Sequence, residues 1–335
     1  MESINFGQIV SFLFGIANDC LVDVYDVGDY RKIILPMMVI RRFDAVLEPT
    51  KESVLEMKKR LDAAGIVEQD EALCQAAGEA FCNSSPYTLK DLRSRTNQQQ
   101  LKADFILYLN GFSQNVQDII KKFEFRNQID KLSEHDILGL LISKFTDMSI
   151  NLSSRPVTTP SGAVLPALDN HTMGTVFEEV IRKFNEETNV TDAGRHFTPR
   201  DVVELITDLA FVPVQDQIES TTYRIYDGAC GTGGMLTVAE SRIREVASEY
   251  GKKVSIHLYG QENADETYAI AKSDMLVKGE GTQANNIFFG STISNDGFAG
   301  ETFDFMLSNP PFGIRSFGKG HVQAGAGLVC HKRGL

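Results

Sequence analysis

Residues Thr222 to Gly234 read T-Y-R-I-Y-D-G-A-C-G-T-G-G, and this stretch leaves the chain few ways to fold. Thr222 to Tyr226 has the β-branched and aromatic content of a short strand. Asp227 ends it, and Gly231, Gly233 and Gly234 lead into a helix that opens near Met235. Residues without a Cβ let the backbone turn tightly and come close to a ligand. A strand that runs through a glycine turn into a helix is the opening unit of an open α/β sheet, whose ligands bind outside the carboxyl ends of the strands.

The ligand is not a dinucleotide. A dinucleotide fold carries G-x-G-x-x-G, with an acid about 20 residues further on. Here the turn is G-x-G-G, and the next strand-ending acid, Glu262, stands 31 residues beyond Gly231. An acid directly at the strand end suits an ammonium group, whereas a phosphate would be repelled there. The second predicted strand, Val254 to Tyr259, leads into Gly260-Gln261-Glu262, where Glu262 can take the hydroxyls of a ribose. An aminoacyl nucleoside without phosphate satisfies both acids, and S-adenosylmethionine is that molecule. The competing reading is a pair of buried structural carboxylates. His257 and Cys230 read as packing residues.

A third strand end carries different chemistry. In Asp304 to Gly313, D-F-M-L-S-N-P-P-F-G, Phe303, Phe305 and Leu307 alternate with Asp304, Met306 and Ser308, and two prolines then stop helix and ladder alike. The strand is expected to end at Asn309. An exocyclic amine conjugated to a ring is a poor nucleophile because its lone pair is delocalised. The Asn309 side-chain oxygen and the Pro310 carbonyl can accept its two N–H groups and localise that pair. Pro310 and Pro311 fix the backbone, and Phe312 offers a face for a planar base or amide. A plain turn closed by Pro-Pro is the alternative.

The 335 residues are enough for two domains, and the 42% apolar and 23% charged content is that of an ordinary globular protein. The longest apolar run, Ile33 to Ile40, is short and interrupted by Pro36, so no membrane span is expected. The start, Met1-Glu2-Ser3-Ile4, lacks a basic signal-peptide region, which predicts a cytoplasmic protein. Five cysteines show no C-x-x-C and six histidines no H-E-x-x-H, so neither disulfides nor a metal are predicted. The net charge of −12 matters most. A protein that grips a DNA backbone unaided carries a basic stripe. This chain either does not act on nucleic acid or has a partner that makes most of the backbone contacts.

From Gly7 to Thr146 the pattern is helical. Ile33, Ile34, Met37, Met38 and Phe43 belong to one helix stopped by Pro49, and a second, Val54 to Ala64, closes at Gly65. Others are expected near Leu89 to Arg95, Asn115 to Phe123 and Glu134 to Phe145, with Asp70 to Leu89 a loop. No catalytic constellation lies in this half, which reads as a packing or docking module. Asn151 to Pro166, rich in Ser, Thr, Pro and Gly, marks a linker. The domains are thus 1–155, all helical, and 156–335, the α/β part. Met173, Val176, Phe177, Val180, Ile181 and Phe184 form one face of a following helix. Gly194-Arg195-His196-Phe197-Thr198-Pro199-Arg200 then opens another, with Thr198 as N-cap and Pro199 at the first helical position.

The order F-T-P (Phe197 to Pro199), D-x-A-C-G-T-G-G (Asp227 to Gly234), G-Q-E (Gly260 to Glu262) and N-P-P-F (Asn309 to Phe312) resembles the methylation subunit of type I restriction-modification systems. Arg31 to Asp44, Tyr108 to Ser113 and Met173 to Glu187 resemble that family's helical domain and connecting helix. The resemblance implies an N-terminal helical domain followed by a Rossmann-like S-adenosylmethionine-dependent methyltransferase domain. It implies transfer of a methyl group to adenine N6 in double-stranded DNA. The implied partners are a specificity subunit, a restriction subunit and a second methylation subunit.

By the same resemblance, His196, Phe197, Thr198, Pro199 and Arg200 would line the methionine end of the cofactor. Asp227, Gly231, Thr232, Gly233 and Gly234 would hold its amino-acid part, and Glu262 its ribose. Asn309, Pro310, Pro311 and Phe312 would take a flipped-out adenine. Ser291 stands where related enzymes have an adenine-contacting acid, and Gly228 where they have proline. The family's fold continues beyond the N-P-P-F loop. The expectation is therefore a C-terminally truncated domain, an incomplete sheet with the strand before Asn309 as an exposed edge, and little turnover by this chain alone. Two other functions use the same motifs. One is protein glutamine-N5 methylation, which predicts a smaller helical domain and no F-T-P helix. The other is a catalytically inactive remnant acting only in assembly.

Overall fold

The computed structural model describes residues 6–147, 151–159, 161–187, 198–278, 281–311 and 330–331. The chain divides into two compact units, Met1–Val190 with Ser273–Gly281, and Thr191–Lys272 with Thr282–Leu335.

The first unit is helical: α1 (Phe6–Leu21), α2 (Arg31–Leu47), α3 (Lys51–Ala63), α4 (Asp70–Ala77), α5 (Leu89–Arg93), α6 (Gln98–Asn110), α7 (Gln114–Lys122), α8 (Ile129–Glu134), α9 (Ile137–Phe145) and α10 (Asn170–Glu187). Helix α2 is its axis. Every residue from Ile33 to Ile40 is buried, Pro36 included, so packing on all sides holds a helix that the proline alone would weaken. Its polar residues are used as ties. Arg42 donates to the carbonyls of Leu152 and Leu168, at 3.0 and 3.2 Å. Asp44 accepts from the Leu89 N–H and the Tyr108 hydroxyl, at 3.0 and 3.1 Å. Helix α3 closes as its glycine predicts: Gly65 has φ +69° and the Ile66 N–H reaches back to the Leu61 carbonyl. The apolar face expected for α10 is buried in full, from Met173 to Phe184.

Two local expectations need correction, and one helix was not singled out. The supposed loop Asp70 to Leu89 begins with α4, which buries Leu73 and Ala77. Helix α6 hides behind its three leading glutamines. Its buried positions, Leu101, Asp104, Phe105, Tyr108 and Leu109, keep helical spacing, but Asp104 breaks the apolar stripe and is paired with Arg95 at 3.0 Å. The linker segment contains a small antiparallel hairpin, β1 (Val157–Thr158) and β2 (Val164–Leu165).

The second unit is α/β. Strands β3 (Thr222–Asp227), β4 (Ser255–Glu262), β5 (Ile287–Phe289), β6 (Phe305–Met306) and β7 (Cys330–His331) form one sheet in the order β5-β4-β3-β6-β7. The first four run parallel. Helix α11 (Arg200–Phe211) precedes the sheet, α12 (Gly234–Glu249) joins β3 to β4, and α13 (Asp265–Val277) and α14 (Gly281–Ala284) join β4 to β5. The chain moves outward from β3 to β4 to β5 and then returns to β6 on the other side of β3. The switch point of this doubly wound order lies between β3 and β6.

Two sheet expectations change. β6 ends at Met306, and the ladder continues for one more bond, from the Leu307 N–H to the Tyr226 carbonyl at 2.9 Å. Nor is β6 an exposed edge. Cys330–His331 pairs with it antiparallel, covering the unpaired N–H and C=O groups that an edge would present.

Candidate functional site

The carboxyl ends of β3, β4 and β6 each deliver one polar side chain to the same end of the sheet. Asp227 closes β3. It is 2% exposed, and its carboxylate accepts the Ala229 N–H at 2.9 Å. Burial pushes this acid up to about 7, opposed by hydrogen bonds from the Ala229 N–H and the Ser308 side chain and reinforced by the negative charge of Glu262. Ser308, which adjoins Asn309, is a site residue that sequence reading passed over. Its only signal was its alternation with buried Leu307.

The glycine turn follows directly. Gly231 and Gly233 have φ of +54° and +87°, in the left-handed region that favours glycine, and α12 starts at Gly234. A Cβ built on Gly231 would meet no atom within 4 Å, so the backbone there borders open space. Thr232 is buried. Cys230 is buried as well, and its thiol is pushed well above its ordinary pKa by burial, in keeping with a packing role.

Glu262, the last residue of β4, is engaged by backbone. One carboxylate oxygen accepts the Gly231 N–H at 2.9 Å, and the other accepts the N–H groups of Asn263 and Ala264 at 2.9 and 2.7 Å. The acid therefore links the β4 end to the glycine turn. Its neighbour Gln261 is fully buried and organises the segment after β5. Its amide nitrogen donates to the carbonyls of Gly290 and Asn295, at 3.2 and 2.7 Å, and its oxygen accepts the Gly297 N–H at 3.2 Å. The G-Q-E motif flagged this glutamine only as a companion of Glu262.

At the end of β6, Asn309, Pro310 and Pro311 are half-buried. The Asn309 amide nitrogen donates to the Thr198 hydroxyl at 2.7 Å. Thr198 is not the N-cap it was expected to be. Pro199 holds that position, with φ −53° and ψ 141°, and offers no side-chain acceptor to cap the helix, while the threonine hydroxyl accepts from Asn309. Arg200 is exposed and paired with Glu204 at 3.0 Å. The geometry thus gathers Asp227, the turn Gly231 to Gly234 and Glu262, and joins Asn309 to Thr198. Pro199 is exposed. His196, Phe197 and Phe312 lie outside the described residues.

Residues 168–326 match the family model described as N-6 DNA Methylase, and residues 9–145 match the HsdM N-terminal domain. The type I restriction enzyme MjaIX methylase subunit of Methanocaldococcus jannaschii is 25% identical over 201 residues, covering 60% of this chain and 30% of that protein. The HindI methylase subunit of Haemophilus influenzae is 25% identical over 181 residues, covering 54% of this chain and 37% of its own. The chain carries an HsdM N-terminal domain followed by an N-6 DNA Methylase domain, and these relatives are type I methylase subunits. It spans about a third of the length of these curated relatives. The type I restriction-modification methyltransferase subunit from Streptococcus thermophilus shares the fold, with a TM-score of 0.63 at 19% identity over 92% of this chain and 64% of that one. The methylase match spans all the sequence motifs from F-T-P to N-P-P-F. No helix among the described residues is long and apolar enough to cross a membrane.

Proposed function

We propose that this chain transfers a methyl group from S-adenosylmethionine to adenine N6 in double-stranded DNA, as the methylation subunit of a cytoplasmic type I restriction-modification assembly. The observation that carries the reading is the convergence of Asp227, Glu262 and Asn309 at the carboxyl ends of β3, β4 and β6, beside the switch point. Residues 1–155 serve assembly and residues 156–335 serve the chemistry. A specificity subunit supplies the base contacts, and a second methylation subunit and a restriction subunit complete the assembly.

The residues fit the cofactor. Among the described residues no cation offsets the burial that holds this carboxyl up at about 7, and an ammonium beside Asp227 would stabilise its ionised form. The open space against Gly231 leaves room for a chain to lie along the turn. Backbone N–H groups take three hydrogen bonds of Glu262, and a carboxylate offers roughly four lone-pair sites. Acceptor capacity therefore remains for a ribose hydroxyl. Thr198, with its neighbours Phe197 and Pro199, would face the methionine end.

S-adenosylmethionine supplies an electrophilic methyl group on a sulfonium. The chain's part is to make an aromatic amine nucleophilic. Asn309 Oδ1 and the Pro310 carbonyl accept the two N6–H groups and draw the nitrogen lone pair out of conjugation. The two prolines hold those acceptors still, and Phe312 would offer its ring to the extruded base.

Calorimetric titration of S-adenosylmethionine into the chain tests the reading, alongside a Glu262→Ala variant whose folding is checked by circular dichroism. Micromolar binding that the folded variant loses is the expected result. Equal binding by both proteins would remove Glu262 from the cofactor site.

A further inference from the structure

The 2.7 Å hydrogen bond from Asn309 Nδ2 to Thr198 Oγ1 joins residues 111 apart in sequence. Thr198 stands just before the N-cap of α11, one residue short of the position from which a hydroxyl serves the helix's own first N–H groups. That service is not performed here, and the hydroxyl meets the amide of the residue at the end of β6.

We propose that Thr198 is a positioning residue that orients the Asn309 side-chain amide for methyl transfer. The inference rests on the adenine-N6 reading above. A primary amide has two nearly isosteric ends, and only one is useful to an amine nucleophile. Rotated by half a turn, Asn309 would present its own NH2 group to N6, donor against donor, and the lone pair would stay conjugated. With Nδ2 engaged by Thr198, Oδ1 is the end left for the amine. Donation from Nδ2 also polarises the amide and strengthens Oδ1 as an acceptor. The Thr198 hydroxyl is thereby assigned to the amide, a duty separate from any contact with the methionine end of the cofactor.

The test uses the full chain with Thr198→Val, which keeps the shape and removes the acceptor, and Thr198→Ser, which keeps the acceptor. Three quantities are measured: the side-chain 15N–H signals of Asn309, identified by their loss in Asn309→Ala; the affinity for S-adenosylmethionine; and the single-turnover rate of tritiated methyl transfer to unmethylated duplex DNA. For Thr198→Val the Asn309 amide signals should shift and exchange faster with solvent. At saturating S-adenosylmethionine, which removes any change in cofactor affinity, the transfer rate should fall about tenfold, the scale of one hydrogen bond. Thr198→Ser should restore the signals and the rate, and Thr198→Val should add nothing in an Asn309→Ala background. Unchanged amide signals, or a loss of rate that merely follows a loss of cofactor affinity, would overturn the assignment. Absence of transfer by the unmutated chain, which is expected to hold DNA weakly without a partner, leaves the amide signals to decide the assignment, and unchanged signals overturn it.

Discussion

Asp227 carries a conflict within one residue. Its carboxyl is 2% exposed and pushed up to about 7, chiefly by burial, while the hydrogen bonds from Ala229 and Ser308 only partly offset that cost. The folded-state pKa lies above the unfolded value, so between about pH 4 and about pH 7 the folded protein holds a proton that the unfolded chain has released. Stability contributed by this group is present at the acid end and is lost as pH rises to about 7. Cofactor binding should run the other way, because an ammonium partner needs the ionised acid. Affinity for S-adenosylmethionine is therefore expected to rise between about pH 5.5 and about pH 7.5, by up to about tenfold per pH unit below the Asp227 pKa. Asp227→Asn should weaken binding, flatten that profile, and raise the melting temperature of the free protein at pH 8, since it removes a buried charge. Titrations across this range check the prediction, and an unchanged slope in the variant would show that another group is responsible.

At the scale of elements, the site depends on how closely the glycine turn lies against β4. A Cβ added to Gly260 would stand 2.9 Å from Cys230 Sγ, 3.0 Å from Ile287 Cδ1 and 3.2 Å from Cys230 Cβ. Two neighbours crowd the position, and one belongs to the turn. Gly260→Ala should cost about 1–3 kcal/mol, read by denaturant unfolding. Cys230→Ala in the same chain should recover part of it, because the shortest contact disappears; strictly additive effects would mean that the two residues do not press on each other. Contacts of this kind also explain what the sequence could convey. The β3 strand, its glycine turn and the β4 acid were legible because strand period, Gly and a terminal carboxylate are local signals. Helix α6 was not, since Asp104 sits in its apolar stripe and its burial depends on partners, Gln100 and Arg95, that the pattern does not announce. Thr198 was misassigned for the same reason. Local rules favour a hydroxyl as a helix cap, and only the folded chain brings Asn309 to compete for it. The pairing of β6 with Cys330–His331 joins segments whose sequences carry no matching signal.

For the whole molecule, charge decides how the site can meet DNA. The chain has 45 acidic and 33 basic side chains, a net charge of −12. Duplex DNA repels such a protein at long range unless a basic path is concentrated on one face. Extruding a base adds an unstacking cost of a few kcal/mol that backbone contacts must offset. Both costs point to a partner that holds the duplex. The isolated chain is accordingly expected to bind a short fluorescein-labelled duplex more weakly than about 10⁻⁴ M at 0.15 M salt, the loose end of ordinary non-specific binding. The dependence of log K on log salt should be shallow, because each neutralised phosphate adds about 0.9 to the slope. Fluorescence anisotropy over a salt series measures both. Micromolar binding with a slope of about −4 or steeper would mean that roughly four phosphates are gripped by this chain itself. The acidic surplus would then lie away from the DNA face, and the division of labour between a catalytic chain and a separate DNA-holding partner would fail.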